Sequence, residues 1–437
     1  MQWGQYIVSN LMSICKVLLD YCLPQLSIGP SHKELIDTTY MLFASYLAKI
    51  LDFTASKIIN LNVIDSILLS LCLSAILFYC YGIYAAIAFR RHAPVDPNFH
   101  PPITILKPIC GLDSDAYENL ASFCRQDYPV YQIIFGVRDS QDSGIAVVKQ
   151  IIQDFPKLDI QLVVNDRIIG TNLKVSNLDN AKTFAQYEIL VIADSDIRVE
   201  RNYLRQIVQP LQDQSVGVVT CPYRSIPRGW VTTLEALGTA TDFHAGVLVS
   251  KQLEGIKFAF GSTIVIRQKV LEAIGGFKAI ADYLADDFQL GYLPAQAGYK
   301  VVLSDYVVEH ILAPSTVVDV IKHQVRWARC IRVSRPWGYF GLIFTYGTVT
   351  SILLLIATQG STLGWTGLGI TWTTRLIMGW VVGVQILNDP SAKKFLWLIP
   401  LRDFISFAIW CYSLFGNTIE WRGRRLKLNK QGKLVLS

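Results

Sequence analysis

Between Ser66 and Phe89 the chain carries no charged side chain, a run of about 24 residues and long enough to cross a bilayer as one helix. The run stops at Arg90-Arg91, with His92 next, so the positive-inside rule places the following segment in the cytoplasm. Other charge-free stretches run from Pro336 to Thr374, with an apolar heart at Gly341 to Thr358, from Leu376 to Asn388, and from Phe404 to Ile419. Arg375 and Arg402-Asp403 interrupt them, which points to re-entrant pieces, interfacial helices or buried ion pairs. With 51% hydrophobic and 17% charged residues, the chain is too apolar to be disordered or wholly water-soluble.

These runs divide the 437 residues. Residues 1–61 form an apolar extension broken by Lys16, Asp20 and the polar stretch Ser31 to Asp37; without a basic leading region it reads as interfacial helices, not a signal peptide. Residues 62–92 form a transmembrane helix, 93–335 a cytoplasmic domain, 336–419 transmembrane or re-entrant helices, and 420–437 a basic cytoplasmic tail suited to anionic lipid. Three C-terminal spans would put that tail outside, so one of these segments is expected not to be a true span. The nine cysteines contain no CxxC pair and read as thiols of a reducing compartment, and the histidines show no zinc spacing.

The central domain alternates strand-like and helix-like runs. Strands are expected at Ile103–Leu106, Gln132–Val137, Ile160–Val164 and Glu188–Ala193, with helices near Tyr117–Phe123, Ser143–Phe155 and Asn177–Ala185. That order predicts an α/β fold with a mostly parallel sheet covered on both faces, and ligands at the carboxyl ends of its strands. Two acidic sites fall there: Asp139 after one buried run and Asp194-Ser195-Asp196 after another. Two carboxylates two residues apart on a turn suit Mg²⁺ or Mn²⁺ with phosphate oxygens. Asp286-Asp287 stand in an apolar stretch where a carboxyl acquires a raised pKa and can serve as a base, or where it can cap a helix starting near Phe288. His323-Gln324-Val325-Arg326-Trp327 follows, with Lys322, Arg326 and Arg329 on related helical faces; Arg suits phosphate and Trp327 suits a sugar, a lipid chain or the bilayer interface.

The order Asp139, Asp194-Ser195-Asp196, Asp287, Arg326-Trp327 resembles the D, DxD, D, (Q/R)xxRW pattern of membrane-bound processive-type glycosyltransferases with a GT-A fold. Finer details resemble the ceramide glucosyltransferase family: Leu106-Lys107-Pro108 with Gly111-Leu112-Asp113, Lys174-Val175-Ser176-Asn177-Leu178, Asp194-Ser195-Asp196-Ile197-Arg198-Val199, Gly261-Ser262-Thr263, Gly275-Gly276-Phe277 and the Trp421-Arg422 region. The resemblance covers Pro101 to Lys427. It implies a Rossmann-like GT-A domain and inverting transfer of a hexose, glucose foremost, from a UDP-sugar to a membrane lipid such as ceramide, at the bilayer and with no nucleic-acid partner. It implies Asp287 as general base with Asp286 beside it, Asp139, Asp194, Lys174, Arg326 and Trp327 on the donor, Asp194 and Asp196 on a Mn²⁺ or Mg²⁺ ion, and His244 and His323 near the acceptor. His323 stands where the family has Gln or Arg, so a hydrogen-bonding imidazole replaces a permanent charge. Rival readings are a hopanoid N-acetylglucosaminyltransferase, a polysaccharide synthase and a non-catalytic membrane scaffold; nothing structural requires all four of Asp139, Asp194, Asp196 and Asp287, which argues against the last.

Overall fold

A computed structural model describes residues 61–89, 95–421 and 423–436. The expected interfacial extension and the Arg90-Arg91 pair lie outside the described residues. Within the described chain, residues 61–78 and 344–374 make one unit, and the remainder makes a second.

Near-continuous runs of Ile, Val and Leu form the strands of the second unit, as expected where both faces of a sheet are covered. Strands β1 (Ile103–Ile109), β2 (Tyr131–Val137) and β4 (Ile189–Ile192) are buried along their whole length, and β3 (Asp159–Val164) lies at the sheet edge. β5 (Ile197–Arg198) and β7 (Tyr223–Ile226) flank β6 (Val216–Thr220) in the chain, and β8 (Ile264–Arg267), β9 (Lys300–Leu303) and β10 (Val308–Ile311) follow. The large sheet runs β3-β2-β1-β4-β8-β6-β9. Its β3, β2, β1 and β4 are mutually parallel, β8 runs antiparallel between β4 and β6, and β9 is parallel to β6. A smaller sheet, β5-β10-β7, flanks it. The mostly parallel α/β architecture matches the sequence expectation.

Helices α2 (Ala116–Cys124) and α3 (Gly144–Asp154) fall where the pattern predicts them. Helix α4 (Leu173–Lys182) does not: it starts four residues before Asn177 and ends before Ala185. The Asn172 side chain sets its start, accepting from the Lys174 and Val175 backbone N–H groups at 3.0 and 3.3 Å. Its buried face carries Ser176, Asn177 and Asn180, so no apolar period announces it.

Further along lie α5 (Trp230–Gly238), a π-helical turn at Thr239–Phe243, α6 (His244–Glu254), α7 (Asp286–Gln296) and α8 (Val317–Ser334). The last opens on a capping box between Thr316 and Asp319. After it come α9 (Gly347–Ala357), α10 (Thr362–Gly379) and α11 (Ile399–Ser413). Among the described residues, Val63–Phe89, which is α1, and Pro390–Ser413 are long and apolar enough to cross a membrane. The apolar heart Gly341 to Thr358 is not one straight span: Pro336–Thr345 and Gly347–Ala357 meet at 48°. In the first unit, small residues bring helices together, with Gly364 against the Leu355 Cα and Cys72 Sγ 3.6 Å from Thr350 Oγ1.

The segment read as a basic tail is folded. Strands β11 (Thr418–Trp421), β12 (Arg424–Leu428) and β13 (Leu434–Leu436) form an antiparallel sheet. Arg425-Leu426-Lys427-Leu428 alternates with the period of a strand, turning Leu426 and Leu428 inward with Ile419 and Leu434 onto Leu284 while Arg425 and Lys427 stay exposed.

Candidate active site

The carboxyl ends of β1, β2 and β4 converge on one edge of the large sheet. Asn177 of α4 binds them from behind, its Nδ2 donating to the Gly136 carbonyl at 2.8 Å and the Ile109 carbonyl at 3.3 Å. Asp139 caps the end of β2; it is exposed and accepts from the Gln141 N–H at 2.9 Å. The Ser195 hydroxyl, inside the Asp-Ser-Asp turn, donates to Asp113 from the loop after β1. The turn is anchored below by Lys107, a fully buried lysine whose Nζ donates to the Asp194 carbonyl at 2.6 Å and lies 3.7 Å over the Phe123 ring. Burial outweighs the pull of Asp196, Asp194 and Asp113 and lowers its pKa to about 7.

Lys174, in the first turn of α4, joins two of the acidic sites. Its Nζ lies 2.6 Å from Asp194 Oδ1 and 3.2 Å from Asp286 Oδ2. Burial opposes its charge, but Asp194, Asp286 and Asp287 together outweigh burial and hold the ammonium above the usual lysine range. Asp286 is buried and further engaged by Asn172 Nδ2 at 3.3 Å. Asp287 is placed differently. It accepts from two backbone N–H groups, Gly261 at 3.0 Å and Phe288 at 2.8 Å, and among the described residues no lysine or arginine bonds to it. Burial, reinforced by the charge of Asp286, raises its pKa to about 6. Neither acid caps the helix, since Ala285 occupies that position. Gly261 separates the acids: a Cβ there would stand 2.6 Å from Asp194 Oδ2.

Asp196 faces His310, which no sequence signal marked. His310 Nε2 is 3.4 Å from Asp196 Oδ2, and its Nδ1 is 3.3 Å from Ser225 Oγ. Burial alone would raise Asp196; His310 overrides it and brings the carboxyl down to about 2. Among the described residues, no group of three or more His, Cys, Asp or Glu surrounds one point. A divalent cation nonetheless fits the carboxylates of Asp194 and Asp196, whose oxygens suit Mn²⁺ or Mg²⁺ with phosphate oxygens of a bound nucleotide completing the shell; the His310 imidazole beside Asp196 could join a Mn²⁺ ion but is a poor ligand for Mg²⁺.

Aromatic rings line the neighbouring wall. Tyr223, also unmarked in the sequence, meets His244, Phe260 and His310 edge-on at 5.0–6.0 Å between centroids, and Phe243 at a tilt. Both nitrogens of His244 are taken by backbone: Nδ1–H donates to the Thr239 carbonyl at 2.9 Å, and Nε2 accepts from the Tyr223 N–H at 3.2 Å. Burial lowers its pKa to about 4, so it is a neutral strut under Tyr223. Trp327 packs on Phe243 at 6.2 Å and on His323 at 4.9 Å, and His323 Nδ1 pairs with Glu235 at 2.7 Å. Arg326 lies over the Trp421 ring at 5.8 Å.

The other bases of α8 have structural partners. Lys322 pairs with Glu420 at 2.7 Å, Arg329 donates to the Thr418 and Phe415 carbonyls, and Arg332 donates to those of Ser413, Leu414 and Gly416. Arg329 therefore secures the end of α11 and is not available to phosphate.

A family model described as Glycosyl transferase family 21 matches residues 67–434. Ceramide glucosyltransferase 1 of Caenorhabditis elegans is 24% identical over 374 residues, spanning 83% of this chain and 78% of its own. The ceramide glucosyltransferase of Gibberella zeae is 26% identical over 464 residues, with 78% and 88% spanned. Among solved structures, the mannosyltransferase PcManGT from Pyrobaculum calidifontis, in complex with GDP-Man and Mn²⁺, superposes with a TM-score of 0.50 at 20% identity, covering 80% of this chain and 96% of its own. That likeness is one of fold, and the fold is GT-A-like.

Proposed function

The chain belongs to glycosyl transferase family 21, and on that premise we propose that it moves glucose from UDP-glucose to the hydroxyl of a ceramide-like membrane lipid, inverting the sugar carbon. One observation carries the assignment of roles: of the two adjacent acids, Asp286 is paired with Lys174, whereas Asp287 is half-buried, accepts from the Gly261 and Phe288 backbone N–H groups and is raised to about 6. A carboxylate in that state takes up a proton near neutral pH.

Asp287 accepts the proton of the lipid hydroxyl as its oxygen attacks the anomeric carbon. The bond from that carbon to the diphosphate oxygen breaks, and its electron pair leaves with UDP. Lys174 holds Asp194 and the donor side of the site in register with the acid pair. Asp139 is placed to meet the uracil or ribose beyond the end of β2. Arg326 and Trp327 face diphosphate and acceptor, and the rings of Phe243 and Tyr223 give the sugar and the upper lipid chain an apolar wall. A Mn²⁺ or Mg²⁺ ion held by Asp196 and Asp194, with His310 able to join Mn²⁺, would offset charge on the departing diphosphate. The candidate spans support a lipid acceptor, because α8 leads directly into the apolar C-terminal region. The Arg90-Arg91 pair after α1 supports a cytoplasmic site.

The relatives' name, ceramide glucosyltransferase, favours glucose and ceramide over the hopanoid reading. The test is a matrix assay on purified membranes, with several UDP-sugars against ceramide, diacylglycerol and a hopanoid polyol in Mn²⁺ or Mg²⁺, read by mass spectrometry. Monoglucosylated ceramide of inverted configuration, lost in Asp287→Asn, is the expected result. N-acetylhexosamine on the hopanoid would overturn the acceptor, and no product with any pair would overturn the enzymatic reading.

A further inference from the structure

The loop just before the acid pair is held by two segments far apart in the chain, Thr171-Asn172 and residues 432–434. Asp282 Oδ1 accepts from both the N–H and the hydroxyl of Thr171 at 2.9 Å each. The Asn172 N–H donates to the Ala281 carbonyl at 2.8 Å, and its Nδ2 donates to the Tyr283 carbonyl at 2.8 Å. From the other side, the Leu434 N–H donates to the Asp282 carbonyl at 2.7 Å and the Leu284 N–H to the Gly432 carbonyl at 3.2 Å. Tyr283 and Lys433 complete an antiparallel bridge, and Thr171 Oγ1 also lies 3.3 Å from the Leu434 carbonyl. Gly432, at φ +81°, turns the chain back into β13. A Cβ on Gly170 would stand 2.5 Å from the Ala281 carbonyl oxygen, so the segments are in backbone contact.

We propose that Asp282 and Thr171 are positioning residues, and that β13 locks them so that the turn bearing Lys174 and the loop bearing Asp286-Asp287 keep one geometry. Asp282 touches no reacting atom; it fixes where Lys174 meets Asp286 and where Asp287 points. The catalytic consequence rests on the reading of Asp287 as the base, but the lock itself does not.

The experiment pairs two readouts on the full-length protein in membranes or detergent: amide hydrogen exchange at residues 170–176 and 282–288, and steady-state kinetics with varied donor. The variants are Asp282→Asn, Asp282→Ala, Thr171→Val, Thr171→Ser and a stop after Asn429. Slow exchange of β1 and β2 identifies variants that remain folded. The expected result for Asp282→Ala, Thr171→Val and the truncation is exchange about tenfold faster in both segments. Turnover should fall about ten- to a hundredfold with donor KM little changed, and Thr171→Ser should restore both. Exchange within twofold of the parent in folded Asp282→Ala and truncated protein would overturn the lock, whatever reaction the enzyme catalyses. Faster exchange with turnover unchanged would overturn the positioning role. A parent protein inactive on every donor–acceptor pair would overturn the proposed function, while exchange would still decide the lock.

Discussion

At the scale of single residues, environment divides the work between chemically identical groups. Asp286 and Asp287 are neighbours, yet one shares an ammonium and the other is half-buried against backbone N–H groups. Asp287→Asn is expected to lower turnover about 10²- to 10⁴-fold while UDP binding persists, and retained turnover would remove Asp287 from the mechanism. The sign of the pH effect follows from the raised pKa. The base acts as a carboxylate, so protonation below about pH 6 removes it, and log kcat/KM should fall with unit slope on the acid side of that value. A profile flat from pH 7 to pH 4.5 would contradict it. Gly261→Ala puts a methyl 2.6 Å from Asp194 Oδ2 and should raise donor KM, with overpacking costing about 1–3 kcal/mol as read by thermal unfolding. Asp139, Asp194 and Asp196 were legible because apolar strands lead into them, and Asp286-Asp287 because they interrupt an apolar stretch. His310 and Tyr223 were not, because a histidine and a tyrosine within short strands look like ordinary sheet residues until β10 and β7 pair.

At the scale of elements, the ends of helices and the junctions between them decide where those residues sit. The interrupted charge of the C-terminal runs resolves as a buried network: Arg375 Nη2 lies 2.8 Å from Asp403 Oδ1 and 2.9 Å from Asp242 Oδ1, and the Ser406 hydroxyl donates to Asp242 Oδ2 at 3.0 Å. Asp242 immediately precedes Phe243, so the network ties α10 and α11 to the ring on which Trp327 rests. Arg375→Met leaves two acids without their guanidinium and should cost about 3–5 kcal/mol, with partial recovery on adding Asp403→Asn; unchanged thermal stability in detergent would contradict this. Thr316→Ala deletes the cap of α8 and should cost about 1 kcal/mol without altering metal dependence. The start of α4 was misread for a related reason. Its buried face mixes Val175, Leu178 and Ala181 with Ser176, Asn177 and Asn180, whose side chains bond to backbone, and a hydrophobic period cannot report a face that is half polar.

At the scale of the whole molecule, the chain combines a GT-A-like sheet domain with helices long and apolar enough to cross a membrane. Chelation with EDTA should abolish transfer, and Mn²⁺ or Mg²⁺ should restore it, with far-UV circular dichroism unchanged throughout; transfer persisting in excess EDTA would exclude the cation role given to Asp194 and Asp196. Cys110 is exposed just after β1, at the carboxyl end of that strand. A membrane-impermeant maleimide should label it in inside-out but not in sealed right-side-out vesicles, and the reverse pattern would invert the proposed topology.

What the sequence determined alone follows from local rules: a charge-free run long enough for a bilayer, period-two and buried apolar strands, and acids stationed at strand ends. These are properties of neighbouring residues, and they carried the α/β class, the α1 span and the acidic positions. Tertiary structure decided which acid pairs with Lys174 and which meets backbone N–H groups, that His310 opposes Asp196, that Arg329 secures a helix end, and that a basic tail is a folded sheet against Asp282. Each of those depends on partners tens to hundreds of residues apart, such as Thr171 with Leu434, and on burial that changes the energy of a charge. Neither can be read from adjacency, because both exist only once the chain has closed on itself.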